Sequence, residues 1–367
     1  MKLKKILFFS CEPGGAEVLI PAIRLVQAQL HLEAIVLGYG HAMERFARKE
    51  IICSEIGPVS MNDFSLLDCH APDLLITSAT SLPAVDMTEK YLWQQSKQRG
   101  IPSLAFLDQW QNYSVRFSGV QDSEYLAYQP DWINCLNEIG REEMIREGFD
   151  GGKLVTLGHP YLSSLKDDFH RLDLAGLKAS LHISAEDKVA LFVSEPIREH
   201  YGGMRGYDQY KVLEYFLSSL VEVKEPPRIL VKLHPKDNLA SFQVLAERFK
   251  SLTPQFISNE LSPIESLAVS DFVFGMSSIM LIEAFILGKK VASLQPGLCV
   301  EDPLVLTRHK LIPAIFSGEN RNLLKLDWST CNRFDVEFAT EGFLSFLGRI
   351  AAVMNRGGCM QRNVSSQ

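Results

Sequence analysis

Three side chains that can bind an anion alternate at the end of an apolar run in the second half of the chain. Ile229–Leu233 is followed by His234-Pro235-Lys236, so that single residues separate Lys232, His234 and Lys236. If the chain stays extended, the three side chains share one side, because successive residues of a strand point in opposite directions. Two ammonium groups and an imidazole together suit a phosphate. We predict a phosphate site here; the alternative is a structural histidine.

A second candidate phosphate site follows another apolar run. Asp271–Gly275 leads into Met276-Ser277-Ser278 and then into an apolar segment with helical spacing. Ser277 or Ser278 can cap that helix, and a helix N-terminus with nearby hydroxyls can also hold a phosphate. Glu283, inside the helix, is predicted either to reach a ribose hydroxyl or to pair with Lys289.

Two further residues of the second half join this set because they follow a buried run. Val189–Ser194 ends in Ser194-Glu195-Pro196-Ile197-Arg198. We include Ser194 and Arg198 as candidate ligands of the same phosphates. The alternative for Arg198 is a solvated charge on a loop.

In the first half, a carboxylate and two glycines lie between a predicted strand and a predicted helix. Lys5–Ser10 is followed by Cys11-Glu12-Pro13-Gly14-Gly15. Gly14 and Gly15 allow a close approach of a ligand to the backbone, and the helix N-terminus offers N–H groups to oxygen atoms. We predict a ligand-binding turn with Glu12 as a candidate base; the alternative is a tight structural turn.

The first candidate for a general base is Asp108, which follows the run Ser103–Leu107. The next residues are Gln109-Trp110-Gln111-Asn112-Tyr113. Amides and aromatic rings suit a sugar, whose hydroxyls need hydrogen bonds and whose ring faces pack on aromatic side chains. The alternative is a structural loop with Trp110 packed inward. His159, in the turn Gly158-His159-Pro160, is a weaker candidate for the site.

The elements that position these residues alternate between short apolar runs and helical patterns, which is typical of parallel strands joined by crossover helices. The predicted strands are Lys5–Ser10, Leu32–Gly38, Leu74–Thr77, Ser103–Leu107, Trp132–Leu136, Leu154–Leu157, Val189–Ser194, Ile229–Leu233, Phe256–Ser258, Asp271–Gly275 and Val291–Leu294. The predicted fold class is α/β, with two doubly wound, Rossmann-like parallel sheets that face each other across a cleft. Ligands of such sheets bind beyond the carboxyl ends of the strands.

We place the boundary between the two halves in the polar stretch that begins at Leu165. The prediction is an N-terminal domain over residues 1–166, which carries the candidate bases, and a second domain over 167–335, which carries the candidate phosphate ligands. A helix over 336–355 is expected to return to the first domain, and 356–367 is expected to be disordered.

Composition restricts the function classes. The 367 residues are 46% hydrophobic and 22% charged, as in ordinary globular proteins, and 37 basic residues against 44 acidic ones give a net charge of −7. This acidic balance argues against nucleic acid as a partner. No stretch approaches the ~20 apolar residues of a membrane span. Peripheral attachment at the inner face of the membrane is the membrane role left open.

The seven cysteines are scattered and form no CxxC pair, and no Asp-x-Asp metal motif occurs. An odd number of cysteines without metal-ligand spacing is typical of reduced thiols, so we expect a cytoplasmic protein with no metal site.

The motifs together resemble the bacterial GT-B glycosyltransferases, in particular the branch of sialyltransferases, Kdo transferases and CDP-glycerol glycerophosphotransferases. Lys232-Leu233-His234-Pro235-Lys236 is similar to the His-Pro motif of that branch. Met276-Ser277-Ser278 with Glu283-Ala284 and Gly288-Lys289-Lys290-Val291 is similar to its Ser motif. Its acid-acid-Gly motif is absent in the usual form; Glu12-Pro13-Gly14-Gly15 is distantly similar.

This resemblance implies a metal-independent transferase in polysaccharide synthesis that uses a CMP- or CDP-linked sugar and a glycan or lipid-linked acceptor. It places the phosphates of the donor at His234, Lys236, Ser277 and Ser278. No other cofactor is expected. Two alternatives stay open: a nucleotide-sugar 2-epimerase or hydrolase of the same fold, and a non-catalytic binding protein.

Overall fold

The computed structural model describes residues 3–29, 31–257, 260–319, 322–328 and 334–362; the side chains are described as far as residue 352. Its contacts divide the chain into two compact units. Unit 1 comprises Met1–Ser164 and Asp335–Gln367, and unit 2 comprises Leu165–Phe334.

Unit 1 contains a parallel sheet of seven described strands. In chain order they are β1 (Lys5–Ser10), β2 (Glu33–Gly38), β3 (Ser54–Glu55), β4 (Leu74–Thr77), β5 (Ser103–Phe106), β6 (Trp132–Cys135) and β7 (Leu154–Thr156). The order in the sheet is β3-β2-β1-β4-β5-β6-β7. All six pairings are parallel. The order reverses direction between β1 and β4, which makes the carboxyl ends of these two strands the switch point where ligands bind in such sheets.

Unit 2 repeats this arrangement with six described strands. They are β8 (Val189–Val193), β9 (Arg228–Lys232), β10 (Gln255–Phe256), β11 (Phe272–Gly275), β12 (Lys290–Leu294) and β13 (Ala314–Ile315). Their order is β10-β9-β8-β11-β12-β13, again all parallel. The switch point here lies between β8 and β11. The predicted fold class, two Rossmann-like α/β sheets, is confirmed.

Helices connect the strands in both units. They are α1 (Pro13–Gln27), α2 (His41–Arg48), α3 (Ser65–His70), α4 (Thr88–Arg99), α5 (Tyr113–Phe117), α6 (Glu138–Arg146), α7 (Pro160–His170), α8 (Leu174–Ser180), α9 (Ile197–Tyr201), α10 (Gln209–Ser218), α11 (Leu239–Ala246), α12 (Pro263–Ala268), α13 (Ile279–Ile286), α14 (Val305–Arg308) and α15 (Thr340–Arg362). The polar stretch after Leu165, expected to link two domains, is the second half of α7. Helix α15 runs from Thr340 to Arg362, and residues 363–367 lie outside the described residues; the disorder expected for 356–367 stays a prediction.

The segment that follows unit 2 along the chain completes the core of unit 1. Phe338 and Phe343 pack edge-on against Phe106 of β5, with ring centroids 6.4 and 6.0 Å away. The turn after β7 holds this segment, because His159 donates its N–H to the carbonyl of Val336. A Cβ on Gly158 would overlap the carbonyl of Glu337, and its φ of +87° also favours glycine. The Gly-His-Pro turn therefore has a structural reason for its glycine.

Candidate functional site

The candidate phosphate residues of unit 2 follow three neighbouring strands. Ser194 comes after β8, His234 after β9, and Ser277 after β11, and these strands are adjacent in the order β9-β8-β11. The carboxyl ends of parallel strands meet at one edge of the sheet. The sheet of unit 2 thus brings the regions of the two predicted phosphate motifs to the same edge.

The tightest cluster at this edge is centred on Ser277. Glu195 accepts hydrogen bonds from the backbone N–H of Ser277 at 2.9 Å and from its hydroxyl at 3.0 Å. Arg205 donates to the same hydroxyl oxygen at 2.8 Å. The Arg205 residue is only 8% exposed, and its guanidinium lies 3.9 Å above the ring of Tyr201. A buried guanidinium therefore lies beside the N-terminus of α13.

His234 is held in one orientation by the turn after β9. Its backbone N–H donates to Asp237 at 2.8 Å, and its Nδ1 accepts the N–H of Lys236 at 3.1 Å. The Nδ1 atom is an acceptor, so a neutral His234 carries its proton on Nε2. Burial lowers the pKa of His234, with Lys236 and His200 adding to the shift and Asp237 opposing it. His234 thus offers an Nε2–H donor near neutral pH.

The two lysines of the His-Pro motif point to different partners. Strand β9 ends at Lys232, whose Nζ donates to the carbonyl of Leu261. The chain then turns, with the N–H of Asp237 donating to the carbonyl of His234 at 2.9 Å. Lys236 is exposed, and its Nζ is 3.1 Å from Nε2 of His200. The extended backbone therefore ends at Lys232, and Lys232, His234 and Lys236 do not share one side of a strand as predicted.

The other predicted ligands of unit 2 have protein contacts of their own. Arg198 forms an ion pair with Asp208 at 2.7 Å and lies over the ring of Tyr210. Ser278 caps α13 by accepting the N–H of Met280 at 3.2 Å, as the capping alternative stated. Ser194 is buried; burial raises the pKa of the Asp237 carboxyl, and the Ser194 hydroxyl partly opposes that rise. Glu283 is buried within α13, only 3% exposed.

In unit 1, Asp108 lies just after β5 and is paired with a buried cation. Arg116 approaches its carboxylate at 2.8 Å, and the two side chains are 5% and 18% exposed. Arg116 also donates to the carbonyls of Gln111 and Ala79, so the loops after β4 and β5 share one guanidinium. Asp108 is thereby held as a partly shielded carboxylate.

The start of α1 packs against these loops. A Cβ on Gly14 would overlap the carboxylate of Asp108, and one on Gly15 would overlap the hydroxyl of Ser78. The two glycines therefore allow the first turn of α1 to approach Asp108, where the helix N-terminus stabilises negative charge. Glu12, half-buried, is the N-cap residue of α1, and its side chain makes no capping hydrogen bond.

A buried chain of hydroxyls connects this turn to Glu89 of α4, which the sequence analysis did not identify. Glu89 bonds the hydroxyl of Ser78 and the N–H of Thr80. The Ser78 hydroxyl lies 2.9 Å from that of Ser10, which donates to the carbonyl of Glu12 at 3.2 Å. Burial raises the pKa of Glu89 to about 7, with smaller opposing effects from its hydrogen bonds and from Lys90.

The aromatic residues after Asp108 are buried, as the structural alternative stated, and do not offer a surface to a sugar. Trp110 is 1% exposed and donates to Asn137, and Tyr113 is 2% exposed and donates to Glu143. The ring of His159 stacks on Trp110 and donates from Nε2 to the carbonyl of Asp108 at 3.1 Å. Burial lowers the pKa of His159 to about 4, so this histidine is a neutral support for the Asp108 loop.

Within the described ranges, no group of three His, Cys, Asp or Glu side chains is arranged to hold a metal ion. The described cysteines, Cys11, Cys53, Cys69, Cys135 and Cys299, are free thiols. No helix in the part of the chain that the structure covers is long and apolar enough to cross a membrane.

No family model and no curated protein matches the chain. Solved structures do match it. The UDP-GlcNAc 2-epimerase from Neisseria meningitidis bound to UDP-GlcNAc is 14% identical with a TM-score of 0.70, covering 95% of this chain and 100% of that one. A UDP-GlcNAc 2-epimerase from Methanocaldococcus jannaschii is 13% identical with a TM-score of 0.63, over 95% and 100%. A glycosyltransferase from Rickettsia africae is 12% identical with a TM-score of 0.60, covering 100% of both. At these identities the likeness shows the fold, which is GT-B-like.

Proposed function

We propose that the protein is an enzyme that acts on a nucleotide-activated sugar and binds the diphosphate of that sugar in unit 2. The observation that carries the proposal is the convergence of Arg205, Ser277 and the His234 turn at neighbouring strand ends beside the N-terminus of α13. A guanidinium, a hydroxyl and an Nε2–H donor are suited to negative charge on phosphate oxygens. The same groups stabilise a departing diphosphate.

The nucleotide is proposed to be a uridine diphosphate. The Neisseria meningitidis epimerase was solved with UDP-GlcNAc, and a Staphylococcus aureus protein of the same fold was solved with UDP. The CMP or CDP preference implied by the resemblance to the sialyltransferase branch is the second choice. No metal is part of the proposed mechanism, because Arg205 and the N-terminus of α13 supply positive charge and His234 supplies an N–H donor.

The first candidate reaction is inversion at C2 of the nucleotide sugar. The hydrogen on C2 of a nucleotide sugar is not next to a carbonyl, so its removal by a base must accompany loss of the diphosphate from C1. This gives a C1=C2 double bond; protonation of C2 on the other face and return of the diphosphate to C1 complete the inversion. Asp108 is the proposed base of this reaction, because it is a carboxylate just after β5 whose side chain is still 18% exposed; Glu12 is the alternative base.

Glycosyl transfer is the second candidate, favoured by the similarity of the His234-Pro235 and Ser277-Ser278 motifs to the transferase branch. There Asp108 or Glu12 removes a proton from an acceptor hydroxyl, which attacks C1 as the diphosphate leaves. The acceptor is a glycan or a lipid-linked sugar, and association with the inner face of a membrane belongs to this alternative. Both reactions need the same diphosphate site.

Incubation of the protein with UDP-GlcNAc in deuterated water, without an acceptor, tests the proposal. Epimerisation gives a second UDP-sugar with deuterium at C2, visible by NMR and mass spectrometry. Transfer gives no deuterium at C2 and requires an added acceptor. If UDP and UDP-GlcNAc, along with CMP and CDP, produce no thermal shift, the assignment of a nucleotide-sugar enzyme is wrong.

His234→Ala tests the role of the His-Pro motif in either reaction. Loss of the Nε2–H donor to the leaving group is expected to lower kcat by ~10²-fold or more, as removal of one such donor does in other enzymes. His182→Ala, at an exposed histidine of unit 2, is the matched control. A folded His234→Ala variant with normal turnover would contradict the assignment.

A further inference from the structure

The strongest feature that the proposed function leaves unexplained is a carboxylate within the phosphate site. Glu195 accepts the backbone N–H of Ser277 and its hydroxyl through one oxygen, at 2.9 and 3.0 Å. Because Arg205 donates to the Ser277 oxygen, the proton of that hydroxyl is directed at Glu195. A phosphate beside Ser277 would need these donors and would meet a negative charge.

We propose that Glu195 is a counter-charge built into the diphosphate site: it holds the donors of Ser277 until the nucleotide binds, and it takes up a proton when the nucleotide binds. This inference rests on the proposed function. An ionised Glu195 would repel a diphosphate at this position, and desolvation by the ligand would increase the cost. A protonated Glu195 accepts the N–H of Ser277 with one oxygen and donates with the other to a phosphate oxygen.

The groups around Glu195 favour its protonation when a diphosphate binds. Burial raises the pKa of this carboxyl, and Asp237, which follows β9, adds to the rise. Arg205 and the two donors of Ser277 oppose it, and Tyr207 also faces Glu195. A diphosphate adds negative charge beside Glu195 and competes for the donors that stabilise its ionised form, so both effects favour protonation.

Proton uptake by Glu195 predicts that the affinity for the nucleotide rises as the pH falls. Where Glu195 is ionised before binding and protonated after it, each pH unit of acidification increases affinity by up to about tenfold for one proton. The His234 ring takes part in the same site and can also gain a proton on binding, so the contribution of Glu195 has to be isolated by substitution.

The test is calorimetric titration of the full chain with UDP between pH 6 and 8.5, in buffers of different ionisation enthalpy. Glu195→Gln keeps the shape and a hydrogen-bond acceptor for Ser277 but cannot ionise. We expect this variant to take up about one proton fewer than the wild type and to bind UDP about tenfold more tightly at pH 8. Glu222→Gln removes an equal charge from an exposed residue of unit 2 outside this cluster, and it is expected to match the wild type.

The outcomes separate this inference from the proposed function. If wild type and Glu195→Gln bind UDP with the same pH dependence, Glu195 is a structural group and the inference is overturned. An absence of proton uptake by the wild type at pH 8 overturns it without any variant. If no form binds UDP at any pH, the proposed function fails and the inference with it. Thermal unfolding of each variant shows whether a change in binding reflects a loss of structure.

Discussion

Two carboxylates of unit 1 lie in opposite electrostatic environments. Asp108 is paired with Arg116 at 2.8 Å. Glu89 is 1% exposed and bonds a hydroxyl and a backbone N–H, and its burial raises its pKa to about 7. Glu89 therefore titrates near neutral pH. The hydrogen-bonded hydroxyls of Ser78 and Ser10 connect it to the carbonyl of Glu12, which precedes α1.

The raised pKa of Glu89 predicts a pH-dependent stability of unit 1. Between about pH 4.5 and 7 the folded form holds a proton on Glu89 that the unfolded form has lost. The free energy of unfolding therefore falls as pH rises through this range, and the loss is complete above the folded pKa. Glu89→Gln removes this loss, which is on the order of 3 kcal/mol.

Urea denaturation at pH 5 and pH 8, followed by tryptophan fluorescence, measures the effect. Three of the four tryptophans, Trp93, Trp110 and Trp132, belong to unit 1. Glu33→Gln, at an exposed position of β2, is the control and should follow the wild type at both pH values. A Glu89→Gln variant whose stability changes with pH as the wild type does would show that Glu89 does not titrate in this range.

Sequence reasoning identifies some residues of the candidate site and misses others. His234, Ser277 and Asp108 directly follow apolar runs, so the rule that ligands bind beyond strand ends identifies them. Arg205 belongs to the loop after α9 and reaches Ser277 only because the chain folds back. Glu89 lies inside α4, where its charge is compatible with an exposed helix face. For both residues the informative feature is a tertiary hydrogen bond, which residue spacing does not encode.

At the scale of elements, the predicted strands agree with the observed ones to within one or two residues at each end. Buried parallel strands are continuous apolar runs, which makes them recognisable. Strands β3 and β13 are absent from the prediction: β3 is an exposed, polar pair of residues and β13 is only two residues long, so neither gives a continuous apolar run. The second half of α7 was not recognised as a helix for a related reason. Leu162 and Leu165 are buried, but the polar residues that follow, including Asp167 and Asp168, interrupt the helical spacing of apolar residues.

Helix α15 is expected to contribute strongly to the stability of unit 1. Phe343 is fully buried and contacts Phe106 and Phe338. Phe343→Ala should lower the free energy of unfolding by about 3–5 kcal/mol, since it removes a large side chain from a packed core. Ser345→Ala, on the exposed face of the same helix, is the control. Urea denaturation with equal midpoints for the two variants would mean that α15 does not complete the core.

At the scale of the whole molecule, each unit has a hydrophobic core of its own. The cluster around Phe8, Phe106 and Phe343 contains only residues of unit 1. The cluster around Phe192, Phe216 and Phe274 contains only residues of unit 2. Unit 2 is continuous in sequence, whereas unit 1 needs the end of the chain to complete its core. A separate core is what allows a domain to fold by itself.

Unit 2 alone is therefore expected to fold and to bind UDP, because Glu195, Arg205, His234 and Ser277 all belong to it. A fragment over residues 165–334 should unfold cooperatively and bind UDP within about threefold of the affinity of the full chain, a difference below 1 kcal/mol. In the full chain, Asp108→Asn should leave this affinity unchanged while turnover of UDP-GlcNAc is lost, since Asp108 belongs to unit 1. Calorimetric titration of both proteins with UDP makes the comparison, with His234→Ala in the fragment as the binding control. A folded fragment that does not bind UDP, beside a full chain that does, would show that unit 1 supplies part of the nucleotide site.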